Sequence, residues 1–143
     1  MIIKKATLKN KKEIDAFNKK EWKVYNKENN YVHKENKFSF AAYEGKEIIG
    51  SINGRTNGGV AYLNSIIVSK KQRKKGIGEV LLKKFEEIAK KNKCHVCLLR
   101  TTDKHPTAIL FYKKNGYNIE ATLNNMYWHV NEYYIIKRLE WKS

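Results

Sequence analysis

The stretch Val60-Ala-Tyr-Leu-Asn-Ser-Ile-Ile-Val68, Ser69-Lys-Lys-Gln-Arg-Lys-Lys75, Gly76-Ile-Gly78 passes from an apolar run through a basic loop and two glycines into a helical pattern. Apolar residues then recur at Ile77, Leu81, Phe85 and Ile88, with Val80 and Ala89 alongside, the period of one helix face. Strand, cationic glycine loop and helix start together make an anion site. The first turn of a helix carries unpaired N–H groups and about half a positive charge. Glycines there let backbone approach a phosphate closely.

The kind of anion site follows from what surrounds the glycines. A mononucleotide P-loop needs a longer Gly-to-Gly spacing, then Lys and a hydroxyl residue, whereas Gly78 is followed by Glu79 and Val80. A dinucleotide fingerprint needs a third glycine where this chain has Leu81. Both are disfavoured. The run Arg73-Lys-Lys-Gly76-Ile-Gly78 instead resembles the acyl-CoA pyrophosphate loop of the GNAT family of N-acetyltransferases, Arg/Gln-x-x-Gly-x-Gly/Ala. Further on, Ala108-Ile-Leu-Phe-Tyr112-Lys-Lys-Asn-Gly116-Tyr117 resembles that family's late motif, Ala-x-x-Phe-Tyr-x-x-x-Gly-Phe/Tyr. The hairpin before the loop and the Tyr133-Tyr-Ile-Ile-Lys-Arg-Leu139 ending also fit. The resemblance covers nearly the whole chain and is most specific over residues 60–117.

Length bounds the architecture. At 143 residues the expectation is a single domain, residues 1–143, with a sizeable core. Lys and Arg number 30 against 14 acids, a net charge of +16, which suggests a polyanionic partner such as nucleic acid, a membrane surface or a phosphorylated cofactor. The lysines are spread from Lys4 to Lys142, however, so compositional bias explains the excess equally well and nucleic acid is disfavoured as the main partner. Met1-Ile-Ile3 meets Lys4 and Lys5 at once, without a secretory pattern, and no apolar run reaches transmembrane length. A soluble, cytoplasmic protein with no membrane partner is expected. Cys94-His-Val-Cys97 reads as strand, where positions three apart face opposite sides, and no second Cys/His pair completes a zinc site. Two buried thiols and no metal are expected.

In chain order, Ile2–Thr7 reads as a first strand and Asn10 as the cap of a helix through Ile14, Phe17 and Trp22, with Glu13 placed for a capping box. Residues 21–37 are polar, with Tyr25, Tyr31 and His33 interspersed, and read as a helix end and loop that would border the acceptor site. Phe38–Tyr43 and Ile48–Ile52 form a hairpin around Gly45, and Asn57-Gly58-Gly59 turns into Val60–Val68. The Gly76–Lys91 helix, with Glu86/Lys90 and Glu87/Lys91 pairs, leads to a Cys94–Thr101 strand in a right-handed βαβ crossover. Pro106 starts a helix over Thr107–Asn115 that Gly116 ends, and Tyr117–Leu123 pairs with Glu132–Leu139. The fold class is thus α/β. The resemblance implies a mixed, mostly antiparallel sheet with a splayed central parallel pair, flanked by helices.

The resemblance also implies acetyl-CoA as co-substrate. Backbone of Ile66, Ile67 and Val68 would pair with its pantetheine arm. Amides and side chains of Arg73, Lys74, Lys75, Gly76, Ile77 and Gly78 would hold its pyrophosphate. Tyr112 matches the family's general acid toward the departing sulfur. With ordinary pKa values of about 10 and about 8.5, complete proton transfer to a thiolate would be uphill by about 2 kcal/mol. Either nearby cations lower the tyrosine pKa or its contribution is mostly a hydrogen bond. His105 stands where the family often has a cofactor-contacting Asn, and could instead cap the short helix. Where some members carry a glutamate, this chain has Tyr62 and Asn64, so no base is named; Asp103 or Glu21 acting through water are the candidates. Trp128–Asn131 would shape the acceptor pocket, a dimer contact or a solvated turn. The implied activity is acetyl transfer to a primary amine in a ternary complex, with the amine unidentified and a homodimer allowed. The rivals are a noncatalytic acyl-CoA-binding module and a basic nucleic-acid-associated protein.

Overall fold

The computed structural model describes residues 1–32 and 34–140. Among these the elements run α1 (Lys11–Glu28), β1 (Asn36–Glu44), β2 (Glu47–Asn57), β3 (Val60–Val68), α2 (Ile77–Lys91), β4 (Val96–Thr102), α3 (Pro106–Lys114), β5 (Asn118–Leu123) and β6 (Glu132–Arg138). One-turn 3-10 helices sit at Lys70–Gln72 and Tyr127–His129. Close contacts fall into two units, residues 1–33 and 34–143. No described helix is long and apolar enough to cross a membrane.

In the first unit, residues 1–7 form no strand. Ile2 and Ile3 are adjacent rather than alternating, so a strand here would point one to each face. Asn10 does not cap α1 through its side chain. Its Oδ1 instead accepts from the Thr7 N–H at 2.7 Å and its amide donates to the Lys5 carbonyl, closing the turn that precedes the helix. The helix runs on to Glu28, beyond the expected end near Trp22, because Lys, Glu and Trp continue it without a breaker until Asn29. His33 lies outside the described residues.

In the second unit the strands lie in the order β1-β2-β3-β4-β6-β5. The β3/β4 pair is parallel and the other four pairs are antiparallel. The parallel pair follows from α2, which carries the chain back along the sheet before β4 begins. Leu81, Leu82, Phe85 and Ala89 of α2 are buried against Ile52, Ala61, Leu63, Cys97, Leu99 and Ile135 of the strands. The buried face is therefore rotated slightly from the one read in the sequence: Leu82 replaces Val80, which is 66% exposed, and Ile88 is half-buried. Neither expected glutamate–lysine pair forms on α2. Glu86 is drawn across to Lys137 of β6 at 2.9 Å, and Glu87 meets Lys84. Cys94 lies just before β4, so the two thiols are not on opposite faces; both join one core.

A register change in β3 prepares the site. Ala61 and Leu63 face the core, then Ile66 and Val68 pack against it, so the inward parity switches across Asn64 and Ser65. The ladder with β2 shows the cause: Asn53 pairs with Ser65 and Gly54 with Leu63, leaving Asn64 as the extra residue of a bulge. Bulges bend their strand and increase its twist. Gly54 opposite admits the bend, since a Cβ there would collide with the Tyr62 carbonyl and lie 2.7 Å from the Phe38 ring.

Candidate active site

The parallel ladder of β3 and β4 contains only Val60↔Val96, Ala61↔Cys97 and Tyr62↔Leu98. Beyond it β3 stays paired to β2 as far as Val68, and β4 stays paired to β6 as far as Thr102. The two strands therefore part at the bulge, and each leaves one edge without a ladder partner. Backbone N–H and C=O groups on such edges need other partners, which makes the gap a site for an extended polar ligand. Two clefts open at it, of about 880 Å3 and about 750 Å3, and they share Asn64, Arg100, Thr101 and His105.

The larger cleft gathers most of the residues read from the sequence: Ile66, Ile67, Val68, Arg73, Lys74, Gly76, Ile77, Gly78, His105 and Tyr112 all line it. Ile67 is 57% exposed while its neighbours Ile66 and Val68 pack on the core, so only Ile67 turns its side chain outward. The Val68 carbonyl already accepts from Arg73 Nε at 3.1 Å, which folds that side chain back along the loop. Lys75 does not line the cleft; its ammonium donates to Gln72, which in turn bonds Glu44. Gly76, at φ +81, is the residue before α2, and the first recorded bond of that helix runs from the Val80 N–H to the Gly76 carbonyl. The amides of residues 77–79 therefore have no intrahelical acceptor and point out of the helix end, with its partial positive charge. A pyrophosphate fits that donor set.

Tyr112 on α3 is 7% exposed, and its ring packs on Phe111 and Tyr117 at 5.2 and 5.8 Å between centroids. Burial pushes its hydroxyl pKa up to about 12. Desolvation is the cause of that shift. His105 precedes α3 without a side-chain cap bond, so the capping role is not what holds it; its ring borders both clefts.

The smaller cleft is built from residues the sequence did not single out: Arg55, Arg100, Tyr127, Glu132 and Tyr134, together with Tyr62 and Asn64. Cross-strand register explains its walls. Arg55 lies opposite Tyr62 and Arg100 opposite Tyr134, and each guanidinium sits over its partner ring, at 4.6 and 6.0 Å. Arg55 also donates to Asn64 Oδ1 at 2.9 Å. From the turn between β5 and β6, Tyr127 lines the cleft, whereas Trp128 is 84% exposed and does not. Asp103 lines neither cleft; its carboxylate accepts from the Asn131 N–H and holds the same turn. Glu21 belongs to α1 in the other unit. Among the described residues no group of His, Cys, Asp and Glu could hold a metal ion.

Known proteins share this fold. A crystal structure of an acetyltransferase from Bacillus cereus superposes with a TM-score of 0.77 over 97% of this chain and 98% of that one, at 22% identity, which speaks for the fold alone. A Bacillus anthracis protein provisionally named a streptothricin acetyltransferase, solved in complex with acetyl coenzyme A, gives a TM-score of 0.70 at 27% identity, over 78% of this chain and 68% of that one. Streptothricin acetyltransferase A of Bacillus subtilis is 37% identical over 119 residues, 79% of this chain and 68% of the relative. The model of the acetyltransferase (GNAT) family matches residues 6–117, most of the chain, and the chain belongs to that family.

Proposed function

We propose that residues 1–143 act as one N-acetyltransferase domain that moves an acetyl group from acetyl-CoA to a primary amine by direct attack in a ternary complex. One observation carries this reading: the two clefts meet at Asn64, Arg100, Thr101 and His105, so a thioester in one and an amine in the other share a single opening. No covalent relay is needed. Cys94 and Cys97 are buried in the core, and burial pushes the Cys97 thiol up to about 12, which removes it as a nucleophile. The acetyl-CoA complex of the Bacillus anthracis relative supports the choice of donor. Two free thiols fit a reducing, cytosolic setting.

Bound acetyl-CoA supplies the acetyl thioester. The free edge of β3 orients its pantetheine arm, and the α2 amides with Arg73 and Lys74 hold its pyrophosphate. The amine nitrogen bonds the carbonyl carbon, the carbon–sulfur bond breaks, and an acceptor that began as an ammonium gives up two protons, one to sulfur and one to solvent. The Tyr112 hydroxyl donates a hydrogen bond to the sulfur as charge builds there. Calorimetric titration with acetyl-CoA, with CoA and ATP as controls, tests the reading. Saturable binding of the CoA species is expected; only nonspecific, salt-sensitive heats would refute it and return the +16 charge to prominence. The identity to a streptothricin acetyltransferase makes streptothricin the first acceptor to assay.

A further inference from the structure

The smaller cleft contains one carboxylate, and it is held unusually. Glu132 begins β6, between Thr102 of β4 and Leu123 of β5, and its side chain is only 7% exposed. Among the described residues its carboxylate makes one contact, with Arg100 at 3.5 Å through a single oxygen, and no recorded hydrogen bond. An ionised carboxylate offers about four acceptor sites. Buried carboxylates normally collect several donors, because each missing bond leaves desolvation uncompensated. A carboxylate secured only as an ion-pair partner would be gripped more closely, with two short parallel bonds from the guanidinium. Glu132 instead stands in a cleft wall with accepting capacity to spare.

We propose that Glu132 is the anchor of the acceptor's ammonium group, and that the acceptor carries a carbonyl or carboxylate beside that nitrogen rather than a second cation. This rests on the transferase reading above and adds the acceptor's chemistry to it. An ammonium supplies three donors to the free carboxylate positions. Arg100 lines both clefts, so an amine held on Glu132 lies one side chain from the gap where the strands part. The same walls carry two guanidinium groups, Arg55 and Arg100, spread over Tyr62 and Tyr134. They donate hydrogen bonds and repel cations, so the atoms next to the amine must accept. Within the smaller cleft Glu132 is the one carboxylate, so the second ammonium of a closely spaced diamine finds no further anion in its lining.

The probe is glycinamide, an amine with an adjacent carbonyl, titrated at neutral pH into the protein bound to CoA, which has no acetyl group to transfer, while the Glu132 side-chain carboxyl carbon resonance is followed. That resonance is assigned by its loss in Glu132→Gln. A saturable shift with glycinamide, a weaker one with ethylenediamine and none with tetramethylammonium is expected. In Glu132→Gln, read on the Tyr62 and Tyr134 ring signals, glycinamide affinity should fall on the order of 10- to 100-fold while acetyl-CoA affinity stays unchanged. If glycinamide moves Glu132 no more than tetramethylammonium does, the anchor is overturned; if ethylenediamine binds as tightly, the acceptor class is. Failure of acetyl-CoA itself to bind by calorimetry would strike the transferase reading instead, so the two failures are separable.

Discussion

Replacing Tyr112 by Phe isolates one hydroxyl. The Phe ring keeps the edge-on packing against Phe111 and Tyr117, so stability and acetyl-CoA affinity should hold. The magnitude follows from burial. With the tyrosine pKa at about 12, against about 8.5 for an ordinary thiol, full proton transfer to the leaving thiolate would run uphill by about 5 kcal/mol. The hydroxyl therefore acts as a hydrogen-bond donor to growing negative charge. Such a bond is worth about 1.5–3 kcal/mol. Turnover in Tyr112→Phe should drop on the order of 10- to 100-fold, read as thiol release under saturating acetyl-CoA. The pH profile gives an independent reading. A hydroxyl that titrates near 12 produces no basic limb at lower pH, whereas one lowered by cations would. An unchanged turnover, or a wild-type limb below pH 10 that vanishes in the Phe variant, would refute the argument.

Gly76 separates strain from charge: a Cβ there meets nothing within 4 Å, so Gly76→Ala should cost only the about 1–2 kcal/mol of a left-handed backbone. Gly76→Asp should in addition abolish acetyl-CoA binding by calorimetry, and normal binding would remove the loop from the pyrophosphate site. Cys97 predicts alkaline behaviour. Its thiol is raised from 9.0 to about 12, so the unfolded chain loses that proton first, and stability that is complete below pH 9 declines through pH 12. The decline in Tm above pH 9 should be shallower in Cys97→Ala, and a variant curve parallel to the wild type would show that the thiol does not contribute.

The part of the fold that was legible is the part where local chemistry and tertiary structure agree. Val60–Val68 reads as strand and is strand over its whole length, and α2 starts one residue from the expected place because Gly76, Ile77 and Gly78 mark it from within the segment. Ile2–Thr7 fails for the opposite reason. A strand exists only through a partner, and its two adjacent isoleucines give no alternation to recruit one. The bulge in β3 is not marked in the sequence; it shows in the ladder with β2. Val60–Leu63 and Ile66–Val68 are apolar at both parities, so the switch of the inward face across Asn64-Ser65 shows only in the packing.

The same contrast divides the site. The donor side is built from backbone amides, glycines and one helix start, all contiguous, so a short motif exposes it. The acceptor side is assembled from β2, β3, β4, β6 and the turn before β6, between one and five residues from each. Arg55 reaches Tyr62 and Arg100 reaches Tyr134 only through cross-strand register, and a pair seven residues apart carries the same weight as a pair thirty-four apart. Glu132 shows the limit most clearly. In sequence it is one of 14 acids, preceded by Asn and followed by two tyrosines, with nothing to distinguish it from a solvated turn residue. What distinguishes it is burial beside Arg100 in the wall of the cleft, which is a property of the fold and not of the neighbouring sequence. Family position along β3 falls on Tyr62 and Asn64, neither of them an acid, whereas the one carboxylate of the smaller cleft comes from β6, which lies beyond β4 in the sheet.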